Sequence, residues 1–286
     1  MSRYRFTCFP AFVLLVFIAV SFNVVANTPL RVAVASNFSD TAKKLVKAYT
    51  LNGHQPPQLL FGSTGKHAAQ ISNGLEVGLL LAADIERPAM LESTGLGVYG
   101  SRVSYALGRL VLWVSDSAQS EWPASLPADL KGIGASSPAS SVDSQSNFQR
   151  DTLLESKSAE LITKVLTDAP TISLANPSLA PYGVASKDIL SRFERGEHRL
   201  VYGENVSQVV HFVASGSVDA AFIPLSMIDS VKSGVIIKIP SRFYKPIEQQ
   251  MLLISEAPEA RRFYDFILST EGQYIIQNNG YDLPNG

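Results

Sequence analysis

The sequence has almost no cysteine. Of 286 residues only Cys8 carries a thiol, and it lies inside an N-terminal segment with the marks of a secretion signal. Arg3 and Arg5 make a short basic start, "FVLLVFIAV" an apolar centre, and "VVA" ending at Ala26 a small-residue cleavage site. The apolar run is shorter than the ~20 residues that a membrane-spanning helix needs, which favours a cleaved leader over a retained anchor. Cys8 is also too early, and too far from the small-residue site, for an acylated lipoprotein cysteine. With residues 1–26 removed as a signal peptide, the mature chain has no cysteine at all. That excludes disulfides, thiol nucleophiles and thiolate metal sites together. The expected compartment is the periplasm.

An excess of charge is lacking too. The chain has 24 Lys and Arg against 25 Asp and Glu; losing Arg3 and Arg5 leaves 22 basic residues and a net charge of −3. No basic run stands out, so a nucleic-acid partner has nothing to rest on. His54, His67, His198 and His211 show no H-x-x-x-H spacing, which leaves a bound metal cation without ligands and places each as a surface or capping residue. There is no G-x-S-x-G nucleophile elbow. "GSTGKH" departs from a phosphate-binding loop, with Leu60 where the first Gly belongs and His67 where Ser or Thr belongs.

What is present is an alternation of strand-like and helix-like segments, the signature of an α/β protein. "LRVAVAS", "PQLLFGS" and "VGLLLAAD" read as strands. They alternate with helices over "FSDTAKKLVKAYT", where Ala42, Leu45, Val46 and Tyr49 share one face, over "TGKHAAQISNG" and over "IERPAMLESTG". "YALGRLVLWVSD" is one long apolar segment able to run from one lobe into another. A Ser-rich stretch follows, "GIGASSPASSVDSQSNFQRDTL", expected as an exposed loop that includes an unassigned insertion over 136–146. Then come a helix over "SAELITKVLTD", strand "TISLANP", helix "VASKDILSRFERG", strand "HRLVYG", helix "NVSQVVHFVASG" and strands "VDAAFIPLS" and "IEQQMLLIS". A single long helix, "PEARRFYDFILSTEGQYIIQNNG", closes the chain.

Several strands end at small polar residues just where a helix begins. Ser36 and Asn37 follow the first strand, Ser63 and Thr64 the second, and Asn205, Val206 and Ser207 the strand "LVYG". "ANPSLAPYG", with two prolines ahead of Tyr182, makes a fourth tip. Ligands of open α/β sheets bind beyond the carboxyl ends of strands, where each helix start leaves about four N–H groups without intrahelical partners. Such termini aimed at one crevice make an anion site without Lys or Arg. The same residues are also ordinary N-caps that satisfy only their own helix, and spacing leaves both readings open.

Taken in order, "VAVASNF", "FGSTGKHAAQI", "AAD" at Ala82–Asp84, "YALGRLVLW", "ANPSLAPYG", "GENVSQ" and "GYDLP" resemble the periplasmic molybdate-binding proteins of ABC transporters, over nearly the whole mature chain. The resemblance implies a two-lobed type II periplasmic binding-protein fold. Each lobe is a mixed sheet flanked by helices, with the ligand cleft between lobes. It implies lobe 1 over 27–107 with a return segment over 241–286, lobe 2 over 108–240, and a hinge near 105–110 and 238–246. The implied ligand is molybdate or tungstate, held as an oxyanion by Ser36, Asn37, Ser63, Thr64, Tyr182 and the backbone N–H of Val206. No cofactor, no free metal cation and no catalysis are implied. Many relatives use a tyrosine near the end of the second lobe; "AAFIPLS" has none. In a subset the tyrosine of "APYG" serves instead, and this chain resembles that subset. The implied partners are an inner-membrane ABC permease and its ATPase, served by a monomer. A receptor for sulfate or phosphate is the nearest rival reading, and an exported serine hydrolase a remote one. Lys66 is expected in solvent.

Overall fold

Val32, Ala33, Val34 and Ala35 are all buried, and this apolar run is the middle of a sheet. The computed structural model describes residues 29–116 and 144–284, so the expected signal peptide lies outside the described residues. Strand β1 (Arg31–Ala35) pairs in parallel with β2 (Gln58–Gly62) and β3 (Leu79–Leu81). The sheet is completed by β4 (Val103–Gly108) and β10 (Ile247–Leu253), and β10 runs antiparallel between β3 and β4. The second sheet has the order β7 (Arg199–Gly203), β6 (Thr171–Ala175), β8 (Ala220–Pro224), β5 (Leu110–Val114), β9 (Val235–Lys238). β6 is parallel to both its neighbours, whereas β5 is antiparallel to β8 and β9. Each sheet is thus mixed, and helices cover it.

The first sheet carries α1 (Ser39–Leu51), α2 (Thr64–Ser72), α3 (Glu86–Ser93), α7 (Pro258–Leu268) and α8 (Thr270–Gln277). The second carries α4 (Ser144–Asp168), α5 (Pro181–Arg192) and α6 (Val206–Ala214). Ala42, Leu45 and Tyr49 of α1 are buried at the helical spacing expected of them. Tyr49 meets Phe263 of α7 edge-on at 5.0 Å, a favoured aromatic geometry.

The long apolar segment does pass from one sheet to the other. Gly108 ends β4 and Leu110 begins β5, so Arg109 alone lies between the sheets. Its guanidinium forks onto both oxygens of Asp282, which also exchanges two backbone hydrogen bonds with Leu107.

Four expectations change. The Ser-rich stretch lies outside the described residues up to 143, but α4 starts at Ser144, inside what was expected as loop. The helix after "ANPSLA" starts at Pro181 rather than beyond Gly183, because Pro suits the first helical position, where its missing N–H costs nothing. The closing helix is two helices: Ser269 turns extended (ψ 161°) and caps α8 by accepting from the Gly272 N–H. β9 was not foreseen at all.

Candidate functional site

The four polar tips meet where the two sheets face each other. Ser36 and Asn37 form a buried 3-10 turn (Ser36–Phe38) between β1 and α1. α6 packs against that turn, which brings Val206, the first residue of α6, to the same place from the second sheet. Ser63 caps α2 and Thr64 opens it, and both are buried. Asn205 caps α6 by accepting from the Gln208 N–H at 3.2 Å. Tyr182 sits in the first turn of α5 with its ring fully enclosed.

The hydrogen bonds show which donors are already used. Ser63 Oγ accepts from the Lys66 N–H at 3.4 Å, and Thr64 Oγ1 accepts from the Ala83 N–H at 3.0 Å. A hydroxyl that accepts from a backbone N–H still has its own hydrogen to give. Ser36 Oγ has no hydrogen-bond partner among the described residues. Asn37 differs: one Nδ2 hydrogen goes to Gln249 Oε1 at 3.0 Å and the other to Tyr281 Oη at 3.1 Å. Its side chain has no hydrogen left, so a ligand can be met only by its backbone N–H. The hydroxyl of Tyr182 accepts from Gln249 Nε2 at 3.4 Å and retains its hydrogen.

Burial raises Tyr105 and Tyr182 well above the usual phenol range, with neighbouring tyrosines adding to it, and raises Tyr281 as well. All three are therefore protonated donors at any physiological pH.

The cationic groups nearby are occupied. Lys66 is exposed, as expected, and reaches across the cleft to Glu204 at 3.6 Å. His67 is buried, against the expectation of a surface or capping residue; its Nε2 contacts the Val34 carbonyl at 3.1 Å, and burial lowers its pKa so that it stays neutral. Arg87 pairs with Asp84 at 2.6 Å and also donates to the Ser178 carbonyl at 3.1 Å. Burial raises the Asp84 carboxyl, opposed by Arg87. Among the described residues no group of His, Cys, Asp or Glu is placed to hold a metal ion.

Several of these contacts cross between the lobes. Gly65 N–H donates to the Leu179 carbonyl at 2.9 Å, Arg87 grips the neighbouring Ser178, and Ser226 Oγ donates to the Asn37 carbonyl at 3.0 Å. The lobes are closed on one another over a set of neutral donors.

Sequence reasoning missed Tyr105, Ser226, Gln249 and Tyr281 as parts of this region. One signal was available for Gln249: it shares the inward face of β10 with Ile247 and Met251, where a polar residue is out of place. Tyr281 lies in the quoted "GYDLP" and received no role.

A two-lobed α/β protein with a closed, neutral, donor-lined cleft is a solute receptor by architecture. The family of bacterial extracellular solute-binding proteins matches over residues 30–282, and the chain belongs to that family. It is 29% identical over 255 residues to the molybdate-binding protein ModA of Rhodobacter capsulatus, covering 87% of this chain and 86% of that one. The ModA of Azotobacter vinelandii is 28% identical over 89% of this chain and 90% of its own length. Among solved structures, the periplasmic molybdate-binding protein of Azotobacter vinelandii superposes with a TM-score of 0.66. That match has 26% identity and covers 90% of this chain and all of the other.

Proposed function

We propose that this chain captures molybdate, and tungstate with it, in the periplasm and hands it to an inner-membrane ABC permease driven by its ATPase. The observation that carries this reading is the convergence of neutral donors from both lobes on one cleft, while every nearby cation is engaged elsewhere. The donors assigned are the hydroxyls of Ser36, Ser63, Thr64 and Tyr182 and the backbone N–H groups of Asn37 and Val206. Helix starts add partial positive charge, each worth about 0.3–1 kcal/mol exposed and up to ~2 when partly buried. A dianion that carries no proton needs donors only, and fixed donors select by size. Two relatives that match almost end to end are named for molybdate, which supports this choice of oxyanion.

In this reading the protein is an exported monomer without a cofactor. Its signal peptide covers 1–26, lobe 1 covers 27–107 and 241–286, and lobe 2 covers 108–240. The lobes open and close about 105–110 and 238–246, and closure creates the surface that the permease recognises.

Calorimetry on refolded, ligand-free protein with molybdate, tungstate, sulfate and phosphate tests the ligand. Submicromolar molybdate binding is expected; micromolar sulfate binding with no molybdate response overturns the reading. Tyr182→Phe is expected to weaken molybdate binding by about 1–3 kcal/mol, since the hydroxyl donates to a buried anion. Unchanged affinity would show that the hydroxyl serves only Gln249.

Lys66→Gln should change affinity less than about threefold, because an exposed pair is worth roughly 0–1 kcal/mol and is screened by salt. A loss above tenfold that persists in high salt would place Lys66 on the anion instead.

A further inference from the structure

Gln249 is fully buried, and it touches three other polar side chains. Its strand is irregular just there: the register of β10 against β4 shifts between Gln249 and Gln250. A bulge of this kind re-aims a side chain, and here Gln249 is directed between the lobes. Gly108, on the neighbouring strand β4 and paired with Ile247, is a glycine for the same reason. A Cβ there would lie 2.2 Å from Tyr182 Oη and 2.8 Å from Gln249 Nε2. Both strands are thus shaped to let Gln249, in lobe 1, meet Tyr182, in lobe 2.

The directions of the hydrogen bonds follow from one group that can only accept. The Asn37 carbonyl receives the Tyr281 hydroxyl at 2.7 Å and the Ser226 hydroxyl at 3.0 Å. Tyr281 has given its hydrogen away, so its oxygen accepts from Asn37 Nδ2. With the Asn37 amide oriented in this way, its other hydrogen faces Gln249 and requires Oε1 there. The Tyr105 hydroxyl has the Ala82 carbonyl at 3.1 Å and the same Oε1 at 3.2 Å to share its one hydrogen, so the Gln249 orientation is set by Asn37. Nε2 is then turned to Tyr182, whose oxygen accepts. The Tyr182 hydrogen is left for the ligand.

Resting on the oxyanion reading above, we propose that Gln249 is a positioning residue: it donates to the Tyr182 hydroxyl and thereby commits that hydroxyl's hydrogen to the bound anion. Gln249 does not touch the ligand itself. It also ties donor direction to closure, because the bond to Tyr182 spans the two lobes.

Gln249→Glu tests this. The carboxylate still accepts from Asn37, but it also accepts from Tyr182 and draws that hydrogen away from the anion. Affinity for molybdate is measured by calorimetry for Q249E and Y182F singly and together, with thermal melts to show that each is folded. Q249E is expected to lower affinity roughly 100-fold in the wild type and at least tenfold less on the Y182F background, where only charge repulsion remains. Equal factors on both backgrounds, within about threefold, overturn the proposal, because a merely structural role is blind to the Tyr182 hydroxyl. If Q249E does not fold, Q249M is taken through the same cycle. About tenfold in the wild type and under threefold on Y182F supports the proposal, and equal factors overturn it. Wild-type protein that binds none of the four oxyanions overturns the oxyanion reading and this proposal with it. Wild-type binding with no coupling overturns the positioning role alone.

Discussion

Thr64→Val is expected to lower both the affinity for the oxyanion and the stability of the ligand-free protein. Valine keeps the shape of threonine and removes one oxygen. That oxygen accepts from the Ala83 N–H at 3.0 Å, at a position almost without solvent. An unpaired buried N–H costs about 1–3 kcal/mol, felt with or without ligand. The same oxygen is assigned as a donor to the anion, and a hydrogen bond to a charged partner contributes roughly 1.5–3 kcal/mol. The affinity should therefore fall by about 10- to 150-fold beyond any change in folding. Urea unfolding of the ligand-free protein reads the first effect and calorimetry the second. Thr64→Ser keeps both bonds, loses only a methyl group, and should retain most of the affinity. If the Val variant unfolds earlier but binds as before, Thr64 only secures the end of β3 and leaves the list of ligands.

The polar tips were legible because their chemistry is local. Ser63 and Asn205 precede helices, and a short polar side chain there signals a helix start whatever the tertiary structure. The two prolines of "ANPSLAPYG" marked a rigid tip, and the family resemblance singled out Tyr182 within it. The network behind the tips was not legible. Tyr105 stands in an apolar stretch and Tyr281 in the polar, Gly-containing tail "NNGYDLP", and only the fold brings their hydroxyls to Ala82 and Asn37. The aim of Gln249 depends on a register shift against β4, which no local pattern records. β9 was missed for a similar reason. "VIIK" is four residues long, and what makes it a strand is pairing with β5, far back in the chain. The break at Ser269 was in reach, since Ser before "TEG" is a capping pattern inside an apolar helical rhythm.

Gly65, in the first turn of α2, spends its N–H on Leu179 of the other lobe. In the proposed reading the helix start serves two tasks: Ser63 and Thr64 give their hydroxyls to the anion, and Gly65 fastens the loop that carries Tyr182. Arg87 fastens the preceding residue, Ser178, of the same loop while its charge is balanced by Asp84. The loop 176–180 is therefore gripped at the carbonyls of Ser178 and Leu179, by one guanidinium and one main-chain contact.

The other large effect is expected of Gly183→Ala, and it is steric. A Cβ at Gly183 would lie 2.2 Å from the Ala175 carbonyl oxygen, 2.8 Å from Pro177 N and 2.9 Å from the Ala175 carbonyl carbon. All three are backbone atoms, so no side chain can rotate aside. Ala175 cannot retreat either: it is the last residue of β6 in register with Gly203 of β7, and Asn176 N–H bonds to the Gly203 carbonyl at 2.7 Å. Relief requires α5 to move off the sheet, and α5 carries Ala185 and Ile189 into the core of the second lobe. Overpacking of this kind costs about 3 kcal/mol, which for a chain of this size lowers the melting temperature by roughly 6–12 °C. Because Tyr182 moves with α5, the folded fraction should also bind molybdate about as poorly as Tyr182→Phe. Val184→Ala, at the neighbouring exposed position, is the control and should melt within about 2 °C of wild type. A Gly183→Ala protein that melts with the wild type would mean that the β6–α5 corner yields, and then Tyr182 is not held as rigidly as its role requires.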